Sequence, residues 1–376
     1  MKNTFYKEAE TKVKLCEFIM ASNKLSMGDE VSRFELSFAK WQGCNYAVMV
    51  NSGSSANLIL LQSLVNLKRI RSGARIGVSA VTWATNVMPI IQMGCIPVLI
   101  DVNLQLLNIT LESVRKHRID CLFITHLLGF HGDIVNIAEY CQNNNIILLE
   151  DTCESLGTVV SDRKLGNFGL ASTFSTFVGH HMSTIEGGLV CTNDSELNMM
   201  LRMVRSHGWD RNVSPEQRES LRTAWNIDDF HGPYTFYNLA YNVRPTEISG
   251  FIGSVQLEYV DCANKARRNI FSIIKPKINS KTSIYTVDID VPAFAIPIVC
   301  KNVETKNYCA QLFKDAGIET RPIVSGNMSR QPFMIEYAEH MPNADKIHEN
   351  GLYIPNHADL SNQDIERILS VISQIE

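Results

Sequence analysis

Three stretches of this chain combine residue types and spacings that could do chemistry. The first is Val50-Asn51-Ser52-Gly53-Ser54-Ser55-Ala56-Asn57, where an apolar run ends in small residues and leads into a helical pattern. Small residues let backbone N–H groups converge at a helix N-terminus, which favours a phosphate or a carboxylate. The same Ser-Gly-Ser also serves as an ordinary turn and cap. The second is Glu150-Asp151, directly after Ile146-Ile147-Leu148-Leu149. A carboxylate there can pair with a protonated ring nitrogen and hold it cationic, as an electron-sink cofactor requires. Capping of a following helix is the plainer alternative. The third holds His180 and His181, between Phe174-Ser175 and Glu186-Gly187-Gly188. An imidazole beside a Gly-Gly turn could move a proton near neutral pH, and an ordinary pair of loop histidines explains the same residues. Adjacent histidines rarely bind one ion together and no third ligand is spaced nearby, so no metal site is expected.

These stretches need a frame that holds them at one edge. Short apolar runs at Ala47–Val50, Ile76–Ser79, Pro97–Asp101, Cys121–Thr125, Ile146–Glu150, Ala171–Ser175 and Leu189–Thr192 alternate with helical spacing such as Ile134, Ile137 and Cys141. That alternation predicts an α/β fold with a mostly parallel seven-stranded sheet between helices. Ligands of such sheets gather at the carboxyl ends of strands. From Ser206 to about Pro245 the chain is polar and aromatic, and irregular loops with short helices are expected. One long helix is expected from Glu247 to about Ile274. A smaller α+β domain should follow, with a strand at Ala293–Cys300, a helix at Tyr308–Ala316 and a last helix from Ser361 to Ile375, opened by a Ser361/Asp364 cap. The expected division is 1–250 for the large domain and 251–376 for the linking helix and small domain.

Composition narrows the class. The chain has 376 residues, 45% apolar and 20% charged, with 35 Lys plus Arg against 39 Asp plus Glu, net −4. No basic field suggests nucleic acid or an anionic membrane as a partner. No apolar run approaches the ~20 residues of a bilayer helix, and Met1 to Glu8 lacks a secretory apolar core, so a cytoplasmic protein is expected. The 10 cysteines include no Cys-x-Cys or Cys-x-x-Cys and read as reduced, mostly buried thiols.

The order of these pieces resembles the fold-type I pyridoxal-phosphate enzymes, and within them the sugar aminotransferase family acting on nucleotide-linked keto sugars. The resemblance runs through Gly28-Asp29-Glu30-Val31, Phe34-Glu35, Asn51 to Ala56, Val81-Thr82-Trp83-Ala84-Thr85 and Glu150-Asp151-Thr152-Cys153-Glu154. It continues through Phe174-Ser175, Glu186-Gly187-Gly188, Arg205-Ser206-His207-Gly208, Tyr241-Asn242-Val243-Arg244 and Gly351 to Pro355. It implies that Gly53, Ser54 and Ser175 bind the cofactor phosphate and that Asn242 reaches it from the partner subunit of a homodimer. Trp83 would stack on the ring, Asp151 would pair with the ring nitrogen, and Glu154 would stand near the ring hydroxyl. His207 and Arg211 are the candidates for sugar-nucleotide contacts.

One position departs from that family. Its aminotransferases place a lysine six residues before the Glu of Glu-Gly-Gly, to form a Schiff base; here the residue is His180. Imidazole forms no stable imine, so the cofactor must be held non-covalently. The replacement resembles the family's 3-dehydratase branch, which removes the C3 hydroxyl of a nucleotide-linked 4-keto-6-deoxy sugar. Without a Cys-x-Cys, the chain matches the kind that uses pyridoxamine 5'-phosphate alone, with L-glutamate regenerating it from pyridoxal 5'-phosphate, on a GDP-linked sugar. His180 would be the acid/base. An aminotransferase with altered chemistry and a catalytically inactive regulatory relative are the alternatives.

Overall fold

The computed structural model describes residues 3–376. Its strands, in chain order, are β1 (Tyr46–Val50), β2 (Arg75–Ser79), β3 (Ile96–Ile100), β4 (Cys121–Thr125), β5 (Ile147–Asp151), β6 (Val159–Val160), β7 (Arg163–Lys164), β8 (Ala171–Ser175), β9 (Gly188–Thr192), β10 (Ile284–Tyr285), β11 (Ala295–Cys300) and β12 (Gly351–Pro355). The main sheet has seven strands in the order β1-β9-β8-β5-β4-β2-β3. Pairs β2–β3, β2–β4 and β4–β5 are parallel, whereas β9 runs antiparallel to both β1 and β8. This is the α/β, mostly parallel sheet expected from the apolar runs. All five residues of β4 and of β9 are buried, which is why those runs lack polar alternation.

Two compact units share the chain. The first comprises Met1–Ala74, Pro89–Cys95 and Leu170–Glu258; the second comprises Arg75–Met88, Ile96–Gly169 and Tyr259–Glu376. In the first unit, β1 is an edge strand whose outward backbone groups would invite foreign pairing. Buried side chains occupy them instead: Met49 N–H donates to Glu35 Oε1 at 2.8 Å, and its carbonyl accepts from Arg205 at 2.8 Å. Arg205 and Glu35 pair at 2.6 Å with only 2% and 4% of their side chains exposed. Helix Asp29–Gln42, which carries Glu35, begins at Gly28 and so lacks a capping side chain. Glu247 supplies it, accepting from the N–H groups of Gly28, Glu30 and Val31 at 2.7, 2.9 and 3.1 Å. The same two helices pack closely at Gly250 and Gly253; a Cβ on Gly253 would stand 2.7 Å from the Phe34 ring.

In the second unit, β10-β11-β12 form a small antiparallel sheet. Helix Val260–Asn279 lies against Asn362–Ser373, which opens on the expected Ser361/Asp364 capping box. The single helix expected over 247–274 is two helices, Glu247–Leu257 and Val260–Asn279. They serve different cores, since the first unit ends at Glu258 and the second resumes at Tyr259. Sequence 206–245 consists of irregular loops and short helices as expected, the longer of them Pro215–Trp225. That helix buries no residue, so it has no apolar stripe to read. Among the described residues no helix is long and apolar enough to cross a membrane, and no group of three or more His, Cys, Asp or Glu could hold a metal ion.

Candidate active site

Each unit carries its own set of polar groups at strand ends. In the first, Ser52 caps helix Gly53–Asn66: its side chain accepts from Ser55 N–H and its carbonyl from Ala56 N–H. The N–H groups of Gly53 and Ser54, on the first turn, bond no acceptor among the described residues. They form the positive end of the helix, suited to an anion. The sheet register brings Ser175 beside them, because Val50 pairs with Gly188 and Gly188 with Ser175. Gly188 has to be glycine, since a Cβ there would stand 2.4 Å from Ser52 O and 2.7 Å from Gly53 N. Gly187 is equally confined, by Thr184 Oγ1 at 2.3 Å and Thr176 Oγ1 at 2.4 Å. The Gly-Gly pair therefore lets β9 pass directly under the anion turn.

His180 lies in the loop between β8 and β9. Backbone bonds fix that loop: Thr176 N–H to Gly187 O, Thr184 N–H to Thr176 O, Val178 N–H to Ile185 O and His180 N–H to Phe177 O, all within 2.8–3.0 Å. The half-buried His180 ring stands edge-on to Phe177, whereas His181 is buried. Asn242 is exposed, and its Oδ1 accepts from Arg244 Nε at 2.9 Å. The next carbonyl, Val243 O, accepts from Asn51 N–H at 3.0 Å. His207 and Arg211 meet through one indole: His207 stands 4.9 Å from Trp209, and the Arg211 guanidinium lies 3.9 Å above it and 4.8 Å from Tyr234.

In the second unit, Asp151 is the last residue of β5, one place further along the strand than the apolar run suggested. Its Oδ1 accepts from Cys153 N–H at 2.9 Å and its Oδ2 from Asn86 Nδ2 at 2.7 Å. The preceding Glu150 anchors the strand end, accepting from Gly166, Phe168 and Gly169 N–H at 2.7–2.8 Å and facing His126 Nε2 at 3.0 Å. Trp83, just after β2, leaves 56% of its surface exposed, a large flat face without protein cover. Glu154 Oε2 accepts from Leu128 N–H at 2.8 Å. Part of that residue reaches solvent, yet burial of its carboxyl pushes its pKa up to about 7; the Asp151 charge adds to the rise and the Leu128 N–H opposes it. In the first unit the turn of N–H donors suits a phosphate; in the second, the buried Asp151 carboxylate and the exposed Trp83 indole suit a cationic aromatic ring.

A pH dependence follows from Glu154. Its folded pKa lies above its unfolded value, so the folded state holds more protons and stability falls as pH rises from about 4.5 to about 7. Glu154→Gln should lack this slope and gain, relative to wild type, up to about 3 kcal/mol between pH 5 and pH 8. Urea unfolding of the cofactor-free protein at both pH values measures it. Parallel pH profiles for the two proteins would show that Glu154 does not titrate as described.

The sequence model of the DegT/DnrJ/EryC1/StrS aminotransferase family matches residues 6–373. The chain belongs to this family. Among its relatives, the GDP-4-keto-6-deoxy-D-mannose 3-dehydratase of Yersinia pseudotuberculosis is 33% identical over 97% of this chain and 96% of its own. The E. coli GDP-4-keto-6-deoxy-D-mannose 3-dehydratase, solved with bound hydrated pyridoxal phosphate, superposes with a TM-score of 0.88 at 30% identity, covering 96% of each chain. A mutant of such a dehydratase with asparagine in place of a histidine, solved with bound GDP-perosamine, superposes at 0.89 with 29% identity over 98% and 99%. Membership of the DegT/DnrJ/EryC1/StrS family extends to the fold: the sheet and its flanking helices are those of fold-type I pyridoxal-phosphate enzymes.

Sequence reasoning missed Asn86, Thr82 and Thr125 behind Asp151, and the Glu35–Arg205 pair behind β1. One signal was visible for the first group. Asn86 interrupts an apolar helix, Ala84–Gln92, one turn after Thr82.

Proposed function

We propose that this chain is a pyridoxal/pyridoxamine phosphate-dependent hydro-lyase that removes the C3 hydroxyl of a nucleotide-linked 4-keto-6-deoxy sugar. The substrate in this reading is GDP-4-keto-6-deoxy-D-mannose, and the product GDP-4-keto-3,6-dideoxy-D-mannose. The single observation that carries it is His180 on a pinned loop where the family's aminotransferases have lysine, with the anion turn, Asp151 and Trp83 all retained. When bound, the cofactor supplies an amine for the C4 ketone and a cationic ring that accepts electrons. Gly53 and Ser54 N–H with Ser175 Oγ hold its phosphate. Trp83 covers one ring face, Asp151 keeps the ring nitrogen protonated, and Glu154 stands at the ring hydroxyl. His180 moves the proton whose removal lets the C3 hydroxyl depart. L-Glutamate provides the amine and leaves as the keto acid, so ammonia is the nitrogen product. The aromatic–cationic cluster of His207, Trp209 and Arg211 suits the sugar nucleotide.

The same reading makes 1–250 the cofactor domain and 251–376 the linking and small domain of a cytoplasmic enzyme. It also places the product in deoxysugar synthesis for lipopolysaccharide O-antigen, with colitose as the end sugar. Incubation with GDP-4-keto-6-deoxymannose and glutamate, followed by mass analysis, tests it: a keto product lighter by one oxygen and free ammonia are expected. An amino sugar without ammonia would make the protein an aminotransferase. Absence of both product and cofactor binding would leave an inactive relative.

Assembly belongs to this proposal. Asn242, exposed in its own chain, completes the phosphate site of a second copy in a symmetric homodimer. Mixed Asn242→Ala and Asp151→Ala subunits, each inactive alone, should then recover part of the activity, up to about a quarter of wild type for random pairing with one intact site in two per hybrid. No recovery despite verified subunit exchange would mean that each site is built from one chain.

A further inference from the structure

Behind Asp151 lies a buried row of side chains that has one direction. Thr125 Oγ1 and Thr82 Oγ1 stand 2.6 Å apart, Thr82 donates to Asn86 Oδ1 at 3.1 Å, and Asn86 Nδ2 donates to Asp151 Oδ2 at 2.7 Å. Thr82, Asn86, Thr125 and Asp151 are all buried. A hydroxyl has one proton. Since Thr82 gives its proton to Asn86, Thr125 must be the donor in the Thr125–Thr82 bond. The Asn86 amide cannot flip, because that would set its oxygen against the acceptor-only Asp151 carboxylate; its N–H₂ therefore faces Asp151 and its oxygen accepts from Thr82. Every dipole in the row points its positive end at Asp151, and such rows polarise one another in a low-dielectric interior. The geometry points to Asn86 as a positioning residue, with Thr82 and Thr125 as its supports, that keeps Asp151 an oriented anion for the ring nitrogen of the cofactor. This rests on the functional reading above.

The row is anchored at both ends. Thr125 is the register partner of Asp151 across β4 and β5, so one strand pair sets the distance the row must span. Asn86 sits one helical turn beyond Thr82, and its N–H also bonds Trp83 O at 3.0 Å. The backbone that carries the uncovered indole is thereby tied to the amide that orients the carboxylate. On the other side, Ser325 Oγ donates to Thr82 O, fixing the Thr82 backbone from the small-domain end of the chain.

The test follows the cofactor, not turnover. Pyridoxal phosphate labelled with ¹⁵N in the ring is bound to wild type, Asn86→Leu, Thr82→Val, Thr125→Val and the hydroxyl-keeping Thr82→Ser and Thr125→Ser. The ring-nitrogen shift is then titrated against pH. The apparent ring pKa should drop by about one unit or more in Asn86→Leu and by a few tenths in the two valine variants, while both serine variants match wild type. Circular dichroism and melting temperatures establish that each variant is folded. A folded Asn86→Leu with the wild-type ring pKa overturns the proposal. Should that variant not fold, the isosteric Thr125→Val decides, and a titration equal to Thr125→Ser overturns it. Folded wild type that binds no pyridoxal phosphate defeats the functional reading itself; wild type that binds it with an unshifted Asn86→Leu defeats only the relay.

Discussion

His180→Asn should lower dehydration by about 10²–10⁴-fold, the usual contribution of a general acid–base group, and leave cofactor affinity nearly unchanged. The reason lies in how the loop is built. Its course is set by backbone bonds between residues 176–178 and 184–187, and none of those needs the imidazole. The phosphate turn at Gly53–Ser54 and the carboxylate at Asp151 stand on other elements altogether. Ammonia release measures the reaction, and the absorbance of titrated pyridoxal phosphate measures binding. Near wild-type dehydration in His180→Asn would remove His180 as the base. His181, one residue on and buried, would then be the group to replace next.

Arg205→Met should be the most damaging substitution for stability. It leaves Glu35 as a buried carboxylate with one partly exposed partner, Arg202 at 3.0 Å, and it strips the carbonyl of Met49 of its donor. Breaking a buried pair from one side typically costs about 3–5 kcal/mol. The double variant Glu35→Leu, Arg205→Met removes both charges and should recover part of that loss, because no ion is left without water or partner. Urea unfolding of the single and double variants separates these terms. A single-variant loss below about 1 kcal/mol would place it among ordinary surface changes and deny the pair its role at the sheet edge.

What could be read from the sequence was local. The seven apolar runs became the seven strands to within a residue because each is buried on both faces and needs no partner to be recognised. The anion turn, Asp151 and the Gly-Gly pair were legible for the same reason, since each motif sits within a few consecutive residues. What escaped depends on neighbours far away in the chain. Asn86 gains meaning only because β2, β4 and β5 lie side by side. Glu35 looks like a surface carboxylate on an amphipathic helix until Arg205 is placed against it. The break at Glu258–Tyr259 is invisible to periodicity, because the helical pattern simply continues while the core it serves changes.

The cap on helix Asp29–Gln42 has a consequence for the order of folding. Its acceptor, Glu247, follows Gly28 by 219 residues, and Arg205 follows Glu35 by 170. At the ~5–20 residues per second of protein synthesis, the finished helix waits roughly 10–40 s on the ribosome for the side chain that closes its first turn. During that interval β1 and Phe174, against Phe38, become available, but Gly253, which packs on the Phe34 ring, does not. Helix Asp29–Gln42 is therefore completed only when helix Glu247–Leu257 arrives, a closure of high contact order.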